Sequence, residues 1–198
     1  MIFHDDFEAA DDRGWTHAAF AKGLGDPWVH GASKNPACGQ GTRCWATSLD
    51  GNYLACQEAA LTSPVLDLSA CAVGAKVRVS FAQWFQFEGF AENSYFDGGF
   101  IQISKDGGLT WAVLPLPGPD PPYLGRSGVS DNACMSVLDP LKGKMIWSDK
   151  KTAAWKPASF AVPADFMTKS FRVRLVFGAD NHDFARGWLI DDFAVEVL

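Results

Sequence analysis

Apolar and polar side chains alternate along much of this chain with a period of two. In Val77-Arg78-Val79-Ser80-Phe81-Ala82 the odd positions are apolar and the even ones polar or small. That is the signature of a strand with one face on a core. The pattern continues through Gln83-Trp84-Phe85-Gln86-Phe87-Glu88 and turns Arg78, Ser80, Trp84, Gln86 and Glu88 outward. Phe100-Ile101-Gln102-Ile103-Ser104 repeats it with Ile101 and Ile103 inward. Phe171 to Phe177 does so with Arg172 and Arg174 outward. Weaker strands are expected at Tyr53–Cys56, Ala60–Ser63, Trp111–Leu114, Lys144–Trp147 and Ala158–Val162. Only Ala164–Met167 reads as a helical turn. Pro115 to Pro122 holds five of the 11 prolines, which predicts an irregular connection. It continues through Gly125, Ser127, Gly128 and Ser130 to Asp131, and a connection this long commonly carries function.

A chain of 198 residues is within the usual size of one β-sandwich and buries roughly 70% of its unfolded surface. A single domain over residues 1–198 is therefore expected. The net charge of −6 argues against nucleic acid, which is bound by clustered Lys and Arg. No apolar run is long enough to span a bilayer. The N-terminus lacks the charged and apolar regions of a signal peptide. We therefore expect a domain from a larger secreted or surface protein, with Met1 an added start. Among Cys38, Cys44, Cys56, Cys71 and Cys134 there is no C-x-x-C pair, so a zinc knuckle or redox site is not expected. Cys38 and Cys44 bracket a Gly-rich loop and are expected to pair in an oxidising compartment. The other three permit one further bridge and leave one thiol over, or are buried small hydrophobes.

The ends of the chain carry the candidate metal chemistry. Phe3-His4-Asp5-Asp6-Phe7-Glu8 opens it and Gly187-Trp188-Leu189-Ile190-Asp191-Asp192-Phe193 nearly closes it. Each reads as a strand bearing carboxylates. If the two lie side by side, Asp6, Glu8, Asp191 and Asp192 supply hard oxygens suited to Ca²⁺. The alternatives are solvated or salt-bridged acids, or a glycosidase pair, which needs two carboxylates roughly 5 to 10 Å apart. His4, His17, His30 and His182 lack metal-ligand spacing. Ser104-Lys105-Asp106-Gly107-Gly108-Leu109-Thr110-Trp111 matches the Asp-box pattern S-x-D-x-G-x-T-W. It predicts a hairpin whose Asp caps a tight turn, and one copy cannot build a propeller. There is no G-x-S-x-G elbow, P-loop or H-E-x-x-H.

Candidate ligand contacts come from the outward-facing positions and the loops. Trp84 stands on the polar face of its strand. With Gln86, Glu88, Gln102, Arg78, Arg172 and Arg174 it can form a flat aromatic and polar surface of the kind that holds sugar rings. The same residues can equally form a solvated face with cross-strand ion pairs. Tyr123, Arg126, His182 and Asp183 add loop contacts.

The order of these pieces resembles a known family. It runs Asp6-Phe7-Glu8, Gly14-Trp15, Trp45-Ala46-Thr47, Leu61 to Ser69, Phe96-Asp97-Gly98-Gly99, the Asp box, and Gly187 to Asp192. It is similar to the MAM-like jelly-roll domains of bacterial surface and secreted proteins, including immune inhibitor A accessory modules and choice-of-anchor adhesin-like proteins. The resemblance implies an all-β, galactose-binding-like or concanavalin-like jelly-roll sandwich of two antiparallel sheets, with a structural Ca²⁺ between the first and last strands. It implies a non-catalytic extracellular module whose partner is a glycan or a cell-surface protein. The alternatives are a self-assembling or fibre-tip domain, oligomeric in that case, and, last, a glycoside hydrolase. The long Pro115–Asp131 connection and Cys134 depart from the family pattern, so the ligand is left open.

Overall fold

The computed structural model describes residues 1–71, 74–88, 90–91, 94–115, 117–126, 143–148 and 154–198, with the side chains of all of these except 90, 91, 94, 125 and 126. Period-two alternation becomes a series of strands: β1 (Phe3–Asp5), β2 (Thr16–Ala19), β3 (Val29–Ala32), β4 (Arg43–Ala46), β5 (Glu58–Thr62), β6 (Val77–Gln86), β7 (Phe90–Ala91), β8 (Ser94–Tyr95), β9 (Gly98–Ser104), β10 (Ala112–Val113), β11 (Gly125–Arg126), β12 (Met145–Ile146), β13 (Lys156–Ala161), β14 (Arg172–Gly178) and β15 (Gly187–Val197). Among the described residues the only helical segment is a 3-10 turn at Ala164–Phe166. The Asp-box strands β9 and β10 pair as the motif requires.

The strands build an all-β jelly-roll sandwich of two antiparallel sheets, one in the order β13-β6-β15-β4-β3 and the other β10-β9-β14-β5-β2. The ends of the chain do meet. One edge of β15 runs along β6 from Gly187↔Gln86 to Val197↔Val77. Its other edge is shared: β4 takes Leu189 and Ile190, and β1 takes Phe193 to Val195. The partner changes where the register slips, between Asp191 and Ala194. Such a bulge bends a strand and re-aims a side chain.

The core lies between the sheets and is unusually aromatic. Val77, Val79, Phe81 and Phe85 of β6 are buried, as are Ile101 and Ile103 of β9 and Val173, Leu175 and Phe177 of β14. Trp188 packs against Trp28, Phe87 and Trp147 with ring centroids 5.7 to 6.4 Å apart. Its indole N–H donates to Gln83 Oε1 at 3.0 Å, so a polar residue on an inward position of β6 serves the core. Trp15, Trp28 and Trp45 are buried too.

Two sequence expectations change. Tyr53–Cys56 is a loop, because the Leu54 N–H donates to the Gln57 side chain and Cys56 takes a positive φ. Trp84 does face outward but is only 8% exposed. It packs with Cys44, Ala46 and Leu189 under Cys38, Leu49 and Trp155. The Cys38–Cys44 disulfide forms, Cys56 is also disulfide-bonded, and Cys71 is the free thiol among the described residues.

Gly187 opens β15 with a positive φ of 89°. A Cβ there would strike Thr47 Oγ1, the atom that accepts the Trp188 N–H. Gly187→Ala should therefore lower stability by roughly 2–4 kcal/mol, from left-handed strain and overpacking together. Urea denaturation measures it, and a loss below about 1 kcal/mol would show that the Thr47 contact yields freely.

Candidate functional site

The four terminal carboxylates, expected from the sequence to share a metal, are each held by different partners, and they do not form a group of three or more converging ligand atoms among the described residues. Asp6 is exposed and accepts the Glu8 N–H at 3.2 Å. Glu8 reaches the loop bracketed by the disulfide, where it accepts the Thr42 and Arg43 N–H groups, each at 2.8 Å, and the Thr42 hydroxyl at 2.9 Å. Those backbone donors, Arg43 first, hold its carboxyl below the usual range. Asp191 is buried beneath the same loop and accepts the Gln40 and Asp192 N–H groups, each at 2.8 Å. Burial pushes its carboxyl up to about 6 despite these bonds. Asp192 points away, with Oδ1 2.6 Å from His4 Nε2 and Oδ2 accepting the Gln40 side-chain amide at 3.4 Å. The loop's N–H groups thus satisfy Glu8 and Asp191.

Acid oxygens converge elsewhere. Among the described residues Glu88, Asp97 and Asp180 form the one group of three or more whose ligand atoms lie within 4.8 Å of one another. The strands explain the meeting. The end of β6, the start of β9 and the end of β14 lie at one end of the sandwich, as the pairs Gly187↔Gln86 and Gly178↔Gly98 require. Asp97 is 0% exposed. Its Oδ2 accepts the Tyr53 hydroxyl at 2.5 Å and its Oδ1 the Asp180 N–H at 2.8 Å. The Tyr53 oxygen in turn accepts the Glu88 N–H. Burial, reinforced by the neighbouring carboxylates, drives the Asp97 carboxyl well up, although both hydrogen bonds oppose this. Burial likewise raises the Tyr53 phenol. Asp180 Oδ1 accepts the His182 N–H at 2.7 Å.

A cleft of about 370 Å³ opens beside this group, lined by Gln86, Phe87, Glu88, Asp183, Phe184 and Ala185. Three of the sequence-derived ligand residues, Gln86, Glu88 and Asp183, share it, and His182 adjoins through its bond to Asp180. Phe184 is 41% exposed at its wall, with Tyr53 behind it at a ring-centroid distance of 6.3 Å. Arg186 anchors the wall by donating to the carbonyls of Asn35, Ser48, Leu49 and Gly51.

The other expected ligand residues go elsewhere. Arg78 pairs with Glu196 at 2.6 Å, eight residues along β6 from Gln86, or about 26 Å. Arg172 and Arg174 lie on β14 in the opposite sheet, so they share no face with Arg78, Trp84 and Gln86. Arg172 donates to the Ser63 carbonyl at 2.8 Å, and Arg174 lies over the Trp111 ring at 4.3 Å while bonding Gln102. Tyr123 accepts the Ile101 N–H at 2.9 Å and packs on Trp147. The Arg126 side chain lies outside the described residues, as does part of the Pro115–Asp131 connection.

No protein-family model matches the sequence, and no curated protein matches it. Among solved structures, the chain is similar to the K1 cleaved adhesin domain of Lys-gingipain from Porphyromonas gingivalis W83. The identity is 13% and the TM-score 0.53, over 99% of this chain and 98% of that one. It is also similar to the CBM22-1 xylan-binding domain of Paenibacillus barcinonensis Xyn10C, at 13% identity and a TM-score of 0.47, over 99% and 93% of the two chains. The gingipain likeness supports the sandwich fold.

The Asp191 carboxyl, at about 6 when folded against an ordinary value of 3.8, binds its proton more tightly in the native state. Its contribution to stability therefore falls as pH rises from about 4 to about 6 and is lowest above that. Denaturation midpoints across pH 4 to 7 should show this slope in the wild type relative to Asp191→Asn. Parallel curves would refute it.

Proposed function

We propose that this domain is a non-catalytic recognition module working outside the cytoplasm, in adhesion through glycan or cell-surface binding, with the loop end of the sandwich as its ligand site. The observation that carries this reading is the shared cleft, where planar polar side chains of Gln86, Glu88 and Asp183 stand around the exposed ring of Phe184. An aromatic face with acceptors and amide donors beside it suits the apolar face and hydroxyl rim of a sugar ring. The Cys38–Cys44 disulfide fits an oxidising compartment, and the gingipain domain of the same fold is an adhesin domain.

The central acid of the group, Asp97, does not suit hydrolysis. A glycosidase needs carboxylates that flank an open scissile bond, whereas Asp97 is enclosed and both its oxygens are engaged within the protein. The calcium expected from the terminal acids is proposed at Glu88, Asp97 and Asp180 instead. Oxygens held 2.3–2.6 Å from Ca²⁺ stand up to about 5 Å apart, and these lie within 4.8 Å of one another. Such an ion would offset the mutual repulsion of the three groups and fix the end of β6 at Gln86 and the loop that carries Asp183 and Phe184.

A glycan array probed in calcium should give selective binding. Phe184→Ala should weaken it about tenfold or more, and Asp183→Asn should weaken it less. A blank array overturns the glycan assignment. Thermal unfolding tests the ion: chelator should lower the wild-type midpoint and leave Asp97→Asn nearly unchanged, since a bound ligand stabilises the native state. A wild type indifferent to chelator removes calcium from the reading.

A further inference from the structure

A second cleft, of about 340 Å³, lies on the outer face of the sheet that contains β15. Ser80 and Ala82 of β6 contribute to its lining, along with Gly39, Gln40, Trp155, Lys156 and Asp192. Its nearest β6 residue, Ala82, is four positions from Gln86, about 13 Å along the strand.

Trp155 is held in place without being fully buried. Its indole N–H donates to the Ala37 carbonyl at 3.0 Å, and the residue packs against the cluster of Cys44, Ala46, Trp84 and Leu189. Gly39 admits it, since a Cβ at that position would come within 3.0 Å of ring carbons Cδ2 and Cε3. Asp192 is the unusual element. It takes a positive φ of 51° inside the β15 register slip, a conformation that costs an aspartate energy and is concentrated at functional positions. The bulge separates neighbouring acids: Asp191 is buried, while the Asp192 side chain is 37% exposed, steadied by His4 and Gln40.

A half-covered indole, a carboxylate that accepts, an amide that does both and an ammonium that donates make up this surface. Asp192 and Lys156 offset each other in charge, which favours a neutral ligand. We propose that this cleft is a second saccharide site. It would take a neutral sugar ring of a polysaccharide against Trp155, with hydroxyls bonded by Asp192, Gln40 and Lys156. The inference rests on reading the domain as a glycan binder but uses none of the residues of the loop-end site.

Affinity electrophoresis in soluble xylan, β-glucan, galactomannan and dextran tests it, with melting midpoints measured on the same samples. At least one polysaccharide should retard the wild type. Trp155→Ala should weaken that binding about tenfold or more, and Asp192→Asn about three- to tenfold, while Phe184→Ala leaves this component in place. Ser80→Gln, which fills the cleft and removes no packing, should also weaken it, and it decides the matter if Trp155→Ala does not fold. Unchanged affinity in a folded Trp155→Ala or in Ser80→Gln overturns the proposal, as does loss of all binding in Phe184→Ala alone. A wild type that no polysaccharide retards also overturns it; glycan-array binding lost on Phe184→Ala would then leave the loop-end reading standing.

Discussion

Everything else in this molecule depends on the pairing of β15. It runs beside β6 along its whole length, while its other edge must serve both β4 and β1. Two strands arriving in line along one edge leave a gap in the ladder where one gives way to the other. Backbone groups in such a gap need partners, because burying them unpaired costs about 1–3 kcal/mol each. Here the chain fills the gap with side chains. Asp191 and Glu8 accept N–H groups from the disulfide-closed loop, and Asp5 accepts the Phe7 N–H and the Trp15 indole. The acids at the two termini are thus part of the hydrogen-bonding that closes the sandwich.

At the opposite extreme of β6 the same chemistry has a different balance. Asp97 accepts two hydrogen bonds, each of which favours its charged form, yet burial among other acids outweighs both. Glu8 has comparable donors and stays ionised because it is exposed. Solvent access therefore separates Glu8 from Asp97, and also from Asp191, whose burial likewise outweighs its backbone donors. Glu8 is settled by backbone amides, whereas the acids around Asp97 retain an electrostatic tension that a proton or a cation relieves.

The strands were legible because alternation is a local signal. β6, β9 and β14 can be read from single stretches, and the Asp box announces the β9–β10 hairpin. The disulfide ring and the terminal pairing were also legible, the first from a short spacing and the second from matching strands at the two ends. Alternation shows which residues face outward, but not onto which of two outer faces. Arg78 and Arg174 look equivalent in sequence and lie in different sheets. Nor does it reveal cover: Trp84 faces outward into a buried cluster that Trp155, 71 positions further along the chain, packs against. The acid group at the loop end had no local signal, since Asp97 meets Tyr53 and Asp180 across separations of 44 and 83 residues. Only Asp97-Gly98 at a strand start and the polar loop after Phe177 pointed toward it.

Cover also decides where recognition can occur. The outer face of the second sheet buries Phe100 and Val176 together with Ile146, with Tyr123 packed alongside. The first sheet hides Trp84 and Leu189 under the disulfide loop. A sandwich with both outer faces partly roofed offers little of the flat sheet surface that alternation alone suggests. Among the clefts it leaves open are the end where the chain leaving β6 meets the loop before β15 and the seam where Trp155 meets the bulge of β15. Both are set by distant pieces of chain fixed through hydrogen bonds, and at both an aromatic ring stands beside an aspartate with positive φ, Asp183 in one and Asp192 in the other. Strained acids beside partly covered rings are costly arrangements for a purely structural surface, and their recurrence at these two clefts is the feature that the proposed binding role accounts for.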